Sequence, residues 1–113
     1  MKDINLEIVI RDSKNYKIQV TRNNIAVNIS GWSIYFTVKT DWNDDDSSSI
    51  LSKNVLIPTN SDSQAGIAYL PLTSSDTNIA VGEYYYDIKL IDLNYRETFA
   101  RGRLAIIPSI RKA

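Results

Sequence analysis

The side chains best suited to chemistry begin with the run Asp41-Trp-Asn-Asp-Asp-Asp-Ser-Ser-Ser49. Asp41, Asn43 and Asp45 stand at the first, third and fifth positions of a calcium-loop pattern, where carboxylate and amide oxygens converge on a hard cation. The pattern then breaks. Asp46 occupies the place of the turn glycine, and Ser52 that of the bidentate Glu. The run is read as a solvated loop without apolar anchors, and no metal site is expected.

Catalysis finds as little support. A carboxylate pair of the glycosidase kind needs one acid desolvated enough to hold its proton. Asp41, Asp87 and Glu97 all read as loop or outward strand positions, where nothing would raise them. The chain has no His and no Cys. That removes Ser-His-Asp triads, thiol nucleophiles and most transition-metal sites. Serines are frequent, but only Lys2, Lys14, Lys17, Lys39, Lys53, Lys89 or Lys112 could activate one, and none stands in a motif. A non-enzymatic protein without a cofactor is expected.

Arg96, Arg101, Arg103, Arg111 and Lys112 gather in the last quarter, with Tyr95 and Phe99 beside them. Cations interleaved with aromatics suit a single-stranded nucleic acid. The whole chain, however, has 13 basic and 13 acidic residues and a formal net charge of +0. Such a balance draws neither a polyanion nor an anionic membrane, so neither is expected as a partner. The arginines are better read as complements of outward Asp87 and Glu97, or as contacts for a protein. Tyr35 and Tyr85 are outward aromatics of two central strands. They are either ordinary cross-strand neighbours or the centre of a protein contact, where Tyr and Arg are enriched. The candidate contact set is Tyr35, Tyr85, Lys89, Arg101 and Arg103, on one face of one sheet.

The elements that must position these residues follow from period-2 alternation. In Gly31–Lys39, Trp32, Ile34, Phe36 and Val38 share one face. In Gly82–Asp92, Tyr84, Tyr86, Ile88 and Leu90 do the same. Both read as central strands entering one core, with Trp32, Phe36, Tyr84, Tyr86, Ile88 and Leu104 largely buried. Further strands are expected at Leu6–Ile10, an edge candidate, and at Tyr16–Thr21. Asn23-Asn24 is the tight turn that leads into a return strand over Ile25–Ile29. Ile50-Leu51 and Val55–Ile57 read as two short pieces stopped by Pro58, and Thr59–Gln64 as a polar loop. Ala65–Leu70 is a strand with Pro71 at its end or at an edge. Thr73-Ser-Ser-Asp76 has capping-box spacing and predicts one helical turn over Thr73–Asn78. Tyr84 is placed as a tyrosine corner, its hydroxyl bonded to main chain a few residues upstream. The last strand runs from Arg96 to Ile107, with Gly102 marking a bulge or a close backbone approach.

About seven short strands and almost no helix predict one domain over residues 1–113, an immunoglobulin-like antiparallel β-sandwich, with a small open barrel as the rival. The N-terminus lacks an apolar run of signal-peptide length, which leads to the expectation of a cytosolic protein. Near-zero charge favours association.

Several stretches together resemble the N-terminal immunoglobulin-like domain of phage baseplate upper proteins and related domains of phage tail and head-fibre components. They are Gly31–Lys39, Gly66-Ile-Ala-Tyr-Leu-Pro-Leu-Thr73, Asp76-Thr77, Gly82–Leu90 and Arg101-Gly-Arg-Leu-Ala-Ile-Ile-Pro-Ser109. The resemblance implies a non-enzymatic structural or adaptor part of a bacteriophage virion, assembled in the host bacterial cytoplasm. Its partners would be other virion structural proteins, with a second copy of the chain among the candidates. Longer family members continue into a fibre or receptor-binding region, so receptor binding is not expected of a chain that reaches only Ala113. The alternative is a carbohydrate-binding or adhesion module, for which Trp42 is the free aromatic platform.

Overall fold

Six apolar side chains on two neighbouring strands form the centre of the structure, a computed structural model describing residues 2–41, 43, 49–93 and 95–110 (main chain alone for Lys2). Strand β6 (Ser33–Lys39) buries Ile34, Phe36 and Val38. Strand β9 (Gly82–Asp92) lies antiparallel beside it and sets Leu90, Ile88 and Tyr86 opposite those three. The rings of Phe36 and Tyr86 meet at 5.9 Å. Gly31 enters β6 from a turn at φ 81, a left-handed conformation that costs a residue without a Cβ nothing.

Strand β7 (Leu51–Leu56) flanks β6, and the long β10 (Tyr95–Ile107) flanks β9, both antiparallel. On the far side of β10 lie β1 (Lys2–Asp3) and β2 (Leu6–Val9). They run parallel to it, which departs from the all-antiparallel expectation. All the other strands lie between them and β10 in the chain, and a long connection permits parallel pairing. The smaller second sheet pairs β3 (Lys14–Gln19) with β8 (Ile67–Leu72). Ile18, Ala68, Leu70 and Leu72 from this sheet join the buried cluster with the inward row of the larger one. Full burial of each large apolar side chain contributes about 1.5–3 kcal/mol, so the interface between the sheets dominates stability. The result is an all-β, sandwich-like arrangement.

An exposed hairpin of β4 (Thr21–Arg22) and β5 (Ile25–Ala26) forms a separate two-stranded ladder. Its turn residues Asn23 and Asn24 both have positive φ (51 and 65), as the tight hairpin turn requires. The return strand is only Ile25–Ala26, shorter than expected. The polar segment before β8 holds a short helix α1 (Ser61–Gln64), where a loop was expected. Asn60 accepts from the Ser63 amide while Ser63 Oγ accepts from the Asn60 amide, a reciprocal cap that stabilises a single turn. At Thr73–Asp76 the reciprocal bonds are also present. There they hold a turn with one helical bond, from the Thr77 amide to the Thr73 carbonyl, and not a helix.

Four further expectations change. Trp32 and Tyr84 are only half-buried, because both lie at the mouths of their strands. Trp32 packs its ring at 5.3 Å from Tyr95, and the Tyr84 hydroxyl donates to the Ala80 carbonyl at 2.6 Å, the tyrosine-corner bond. Strand β7 is continuous, because Ser52, Lys53 and Asn54 complete its ladder with β6. The bulge in β10 falls at Phe99, between Thr98 and Ala100, and not at Gly102. It reverses the strand's phase, so Glu97 stands opposite buried Leu90 on the core-facing side and not on the outward face. Gly102 is instead a close approach: a Cβ there would overlap the Ile4 carbonyl.

Candidate functional site

The outward face of the larger sheet is ordered by register alone. Tyr35 stands between Asn54 and Lys89, and Thr37 between Ser52 and Asp87. Asp87 in turn faces Arg101, while Tyr85 lies between Lys39 and Arg103. Residues directly opposite in an antiparallel pair share a face, so Tyr35, Tyr85, Lys89, Arg101 and Arg103 are on one surface. The Phe99 bulge ends before the two arginines, which therefore keep the phase of Tyr85 and Asp87.

The two tyrosines are not cross-strand neighbours. Tyr35 is level with Lys89, four residues along β9 from Tyr85, or about 13 Å at strand rise. Each ring has a lysine opposite it instead. Tyr35 is 38% exposed, Tyr85 and Lys89 are half-buried, and Arg101 and Arg103 are exposed. Half-burial of Tyr85 corrects the expectation of a fully solvent-facing ring. The N-terminal segment brings Asp3 and Asn5 to a hollow that Tyr85 also lines.

Those two residues, with Lys39, extend the site beyond the residues singled out in the sequence. Arg101 Nε donates to Asp3 Oδ1 at 3.3 Å, and the Arg103 amide donates to Asn5 Oδ1 at 3.2 Å. A depression of about 340 Å³ lies among Asp3, Asn5, Tyr85, Arg101 and Arg103, and one of about 140 Å³ lies on the other side of Tyr85, reaching Lys39 and Asp87. Tyr85 is thus the ridge between two shallow hollows. Strand parity marks Lys39 as outward. Nothing local marks Asp3 or Asn5, because their partner is at the other end of the chain.

Beneath this face, the Tyr86 hydroxyl donates to the Ile4 carbonyl at 2.6 Å. Burial, with the neighbouring charges of Tyr16 and Asp3, pushes its pKa up to about 12. On the opposite flank, Lys53 projects from β7 toward the core side and donates to Asp76. Burial alone would raise the Asp76 carboxyl. Hydrogen bonds from Lys53 and Thr73, and the charge of Lys53, hold it below the usual carboxylate range.

Other candidates separate. Among the described residues no group of three or more His, Cys, Asp or Glu could hold a metal, and no helix is long and apolar enough to cross a membrane. The Asn43 amide donates to Asp41 Oδ1, a local turn. Asp45, Asp46 and Trp42 lie outside the described residues, as do Arg111 and Lys112 of the basic group. Arg96 is exposed at the opposite end of β10, level with Ile91 and apart from Arg101 and Arg103. Arg22 lies over the Tyr95 ring, 4.7 Å from its centroid. Trp32, Tyr95 and Arg22 therefore cover one another and form no open aromatic platform. No protein-family model matches the chain, and no curated protein matches it.

Proposed function

We propose that this protein is a non-catalytic docking module, a structural or adaptor component of a bacteriophage virion assembled in the bacterial cytoplasm. The observation that carries the docking part is the outward ladder of the larger sheet, where Tyr35, Tyr85, Lys89, Arg101 and Arg103 share one face. Aromatic and guanidinium side chains on a rigid sheet suit a protein partner, since they offer large contact area at little cost in chain order. The virion part rests on the resemblance of the Gly31–Lys39, Gly82–Leu90 and Arg101–Ser109 stretches to baseplate upper proteins. An immunoglobulin-like assignment is supported by the two packed sheets and by the Tyr84 corner.

Particles assembled with Tyr35→Ala/Tyr85→Ala test the reading by their content of this chain. Loss of a true hot spot weakens binding by at least about 2 kcal/mol, roughly thirtyfold, so incorporation should fall steeply. The isolated double variant should lose only about 1–2 kcal/mol of stability, because Tyr35 is exposed and Tyr85 half-buried. Parental incorporation of a folded double variant rejects this face.

A further inference from the structure

We propose that β7 is the edge by which two copies of this chain pair, antiparallel about a two-fold axis through Asn54. The pairing rests on the outward main-chain groups of β7 and so does not depend on the docking face, whose margin it meets where Asn54 stands beside Tyr35. The Ile57 amide donates to the Trp32 carbonyl at 2.8 Å, and Leu56 is opposite Ser33. Bonded and non-bonded pairs alternate along an antiparallel ladder. Val55, Lys53 and Leu51 therefore direct their main-chain groups to β6, while Ser52, Asn54 and Leu56 direct theirs outward. All three are exposed, and among the described residues no strand pairs with that side.

Every other edge of the two sheets is blunted. Strands β1 and β2 are two short pieces separated where the chain crosses Gly102. In β8, the Val20 amide bonds the Gly66 carbonyl, which leaves Ile67, Tyr69 and Pro71 facing the open side. Pro71 has no N–H to offer there. Strand β3 carries Lys14 and Lys17, and lysines oppose edge pairing. Strand β7 also has a lysine, but Lys53 turns inward and is already matched by Asp76 within its own copy. A strand added beside β7 would bury a neutral pair and not a bare charge.

The occupant is a second copy because the outward main-chain row can pair with itself and the Asn54 amide matches its own counterpart. With the axis at Asn54, Ser52 meets the partner's Leu56, and Asn54 meets its own counterpart. An amide both donates and accepts, so it can bond an identical amide; a lysine or aspartate at that position could not. The zero net charge of the chain adds no long-range repulsion. Three bonded residue pairs would give about six main-chain hydrogen bonds. The contact is small, so a weak dimer is expected, with Kd on the order of 10–500 µM.

Sedimentation velocity of the 113-residue chain, from about 10 µM to about 1 mM, should show a dimer growing with concentration. Asn54→Lys sets two ammonium groups across the axis and should weaken association at least about tenfold at an unchanged melting temperature. Asn54→Pro removes an outward N–H without touching the ladder to β6, and should act alike. Tyr85→Ala, remote from the β7 edge, should leave the dimer intact. A monomer at about 1 mM overturns the proposal, as does a dimer indifferent to both Asn54 variants. A dimer abolished only by the tyrosine variant would assign self-association to the sheet face.

Discussion

The two edges of the larger sheet are secured by different physics. At the edge where β1 and β2 join β10 the main chain is the fastener. The Ile4 carbonyl sits where a Cβ of residue 102 would be, accepts the Tyr86 hydroxyl, and is followed by Asn5 bonding the Arg103 amide. At the β7 edge the contact beyond the ladder is a side-chain ion pair, Lys53 with Asp76, each roughly one-fifth exposed. A main-chain crossing demands one residue type and tolerates no substitute. An ion pair tolerates many substitutes and responds to pH, so one edge is built for permanence and the other can accept a neighbour.

The largest effect should come from Gly102→Ala. A methyl group there overlaps main chain, which cannot swing aside as a flexible side chain can, so the cost is about 2–4 kcal/mol. Hydrogen exchange should show the Ile4 and Ile10 amides, bonded to β10 carbonyls, opening first. A parental melting temperature would mean the crossing is not the fastener. Tyr86→Phe removes one donor from the same crossing and should cost about 1–3 kcal/mol. Because its pKa in the fold is raised to about 12, the contribution of the neutral hydroxyl is complete below about pH 10 and lost as pH climbs toward 12. An alkaline melting series should flatten in the Phe variant; identical slopes would place the titration elsewhere.

The smallest effect belongs to the other edge. Asp76→Asn should cost about 1–2 kcal/mol, through the Lys53 bond and the cap on Thr73. The folded pKa of Asp76 is depressed, so its contribution is present above about pH 4 and lost as pH falls below the unfolded value. Acid titration of stability should therefore be shallower in the variant. An unchanged acid limb would show that Lys53 is held by packing and not by charge.

Much of this contrast was legible in the sequence on one side of the molecule. Alternation in Gly31–Lys39 and Gly82–Asp92 marks both central strands, their shared core and the outward tyrosines, since a pleated strand leaves no other arrangement. Gly102 is legible as an interruption, though which of its two meanings applies depends on Ile4, nearly a hundred residues away. Phe99 gives no local sign of a bulge, because an apolar residue fits either phase. Glu97 was consequently placed on the wrong side. Polar Ser52, Lys53 and Asn54 hide the continuity of β7, because the inward lysine is explained only by Asp76 on a distant turn. The cap at Asn60 and Ser63 is hidden in the sequence because Ser replaces the acidic or amide residue usual at that position.

The parallel pairing of β1 and β2 with β10 also bears on how the chain is made. Leu6 to Val9 are synthesised nearly a hundred residues before Leu104 to Ile107, and their places beside those residues exist only after the intervening strands have been made. Ile8, almost wholly buried in the finished molecule, lacks its neighbour Ile106 until then. Such distant pairings form slowly, and unpaired strands are open to wrong partners while they wait. The docking of Leu6 to Val9 is therefore a late step, which cannot be completed before Leu104 to Ile107 are in place.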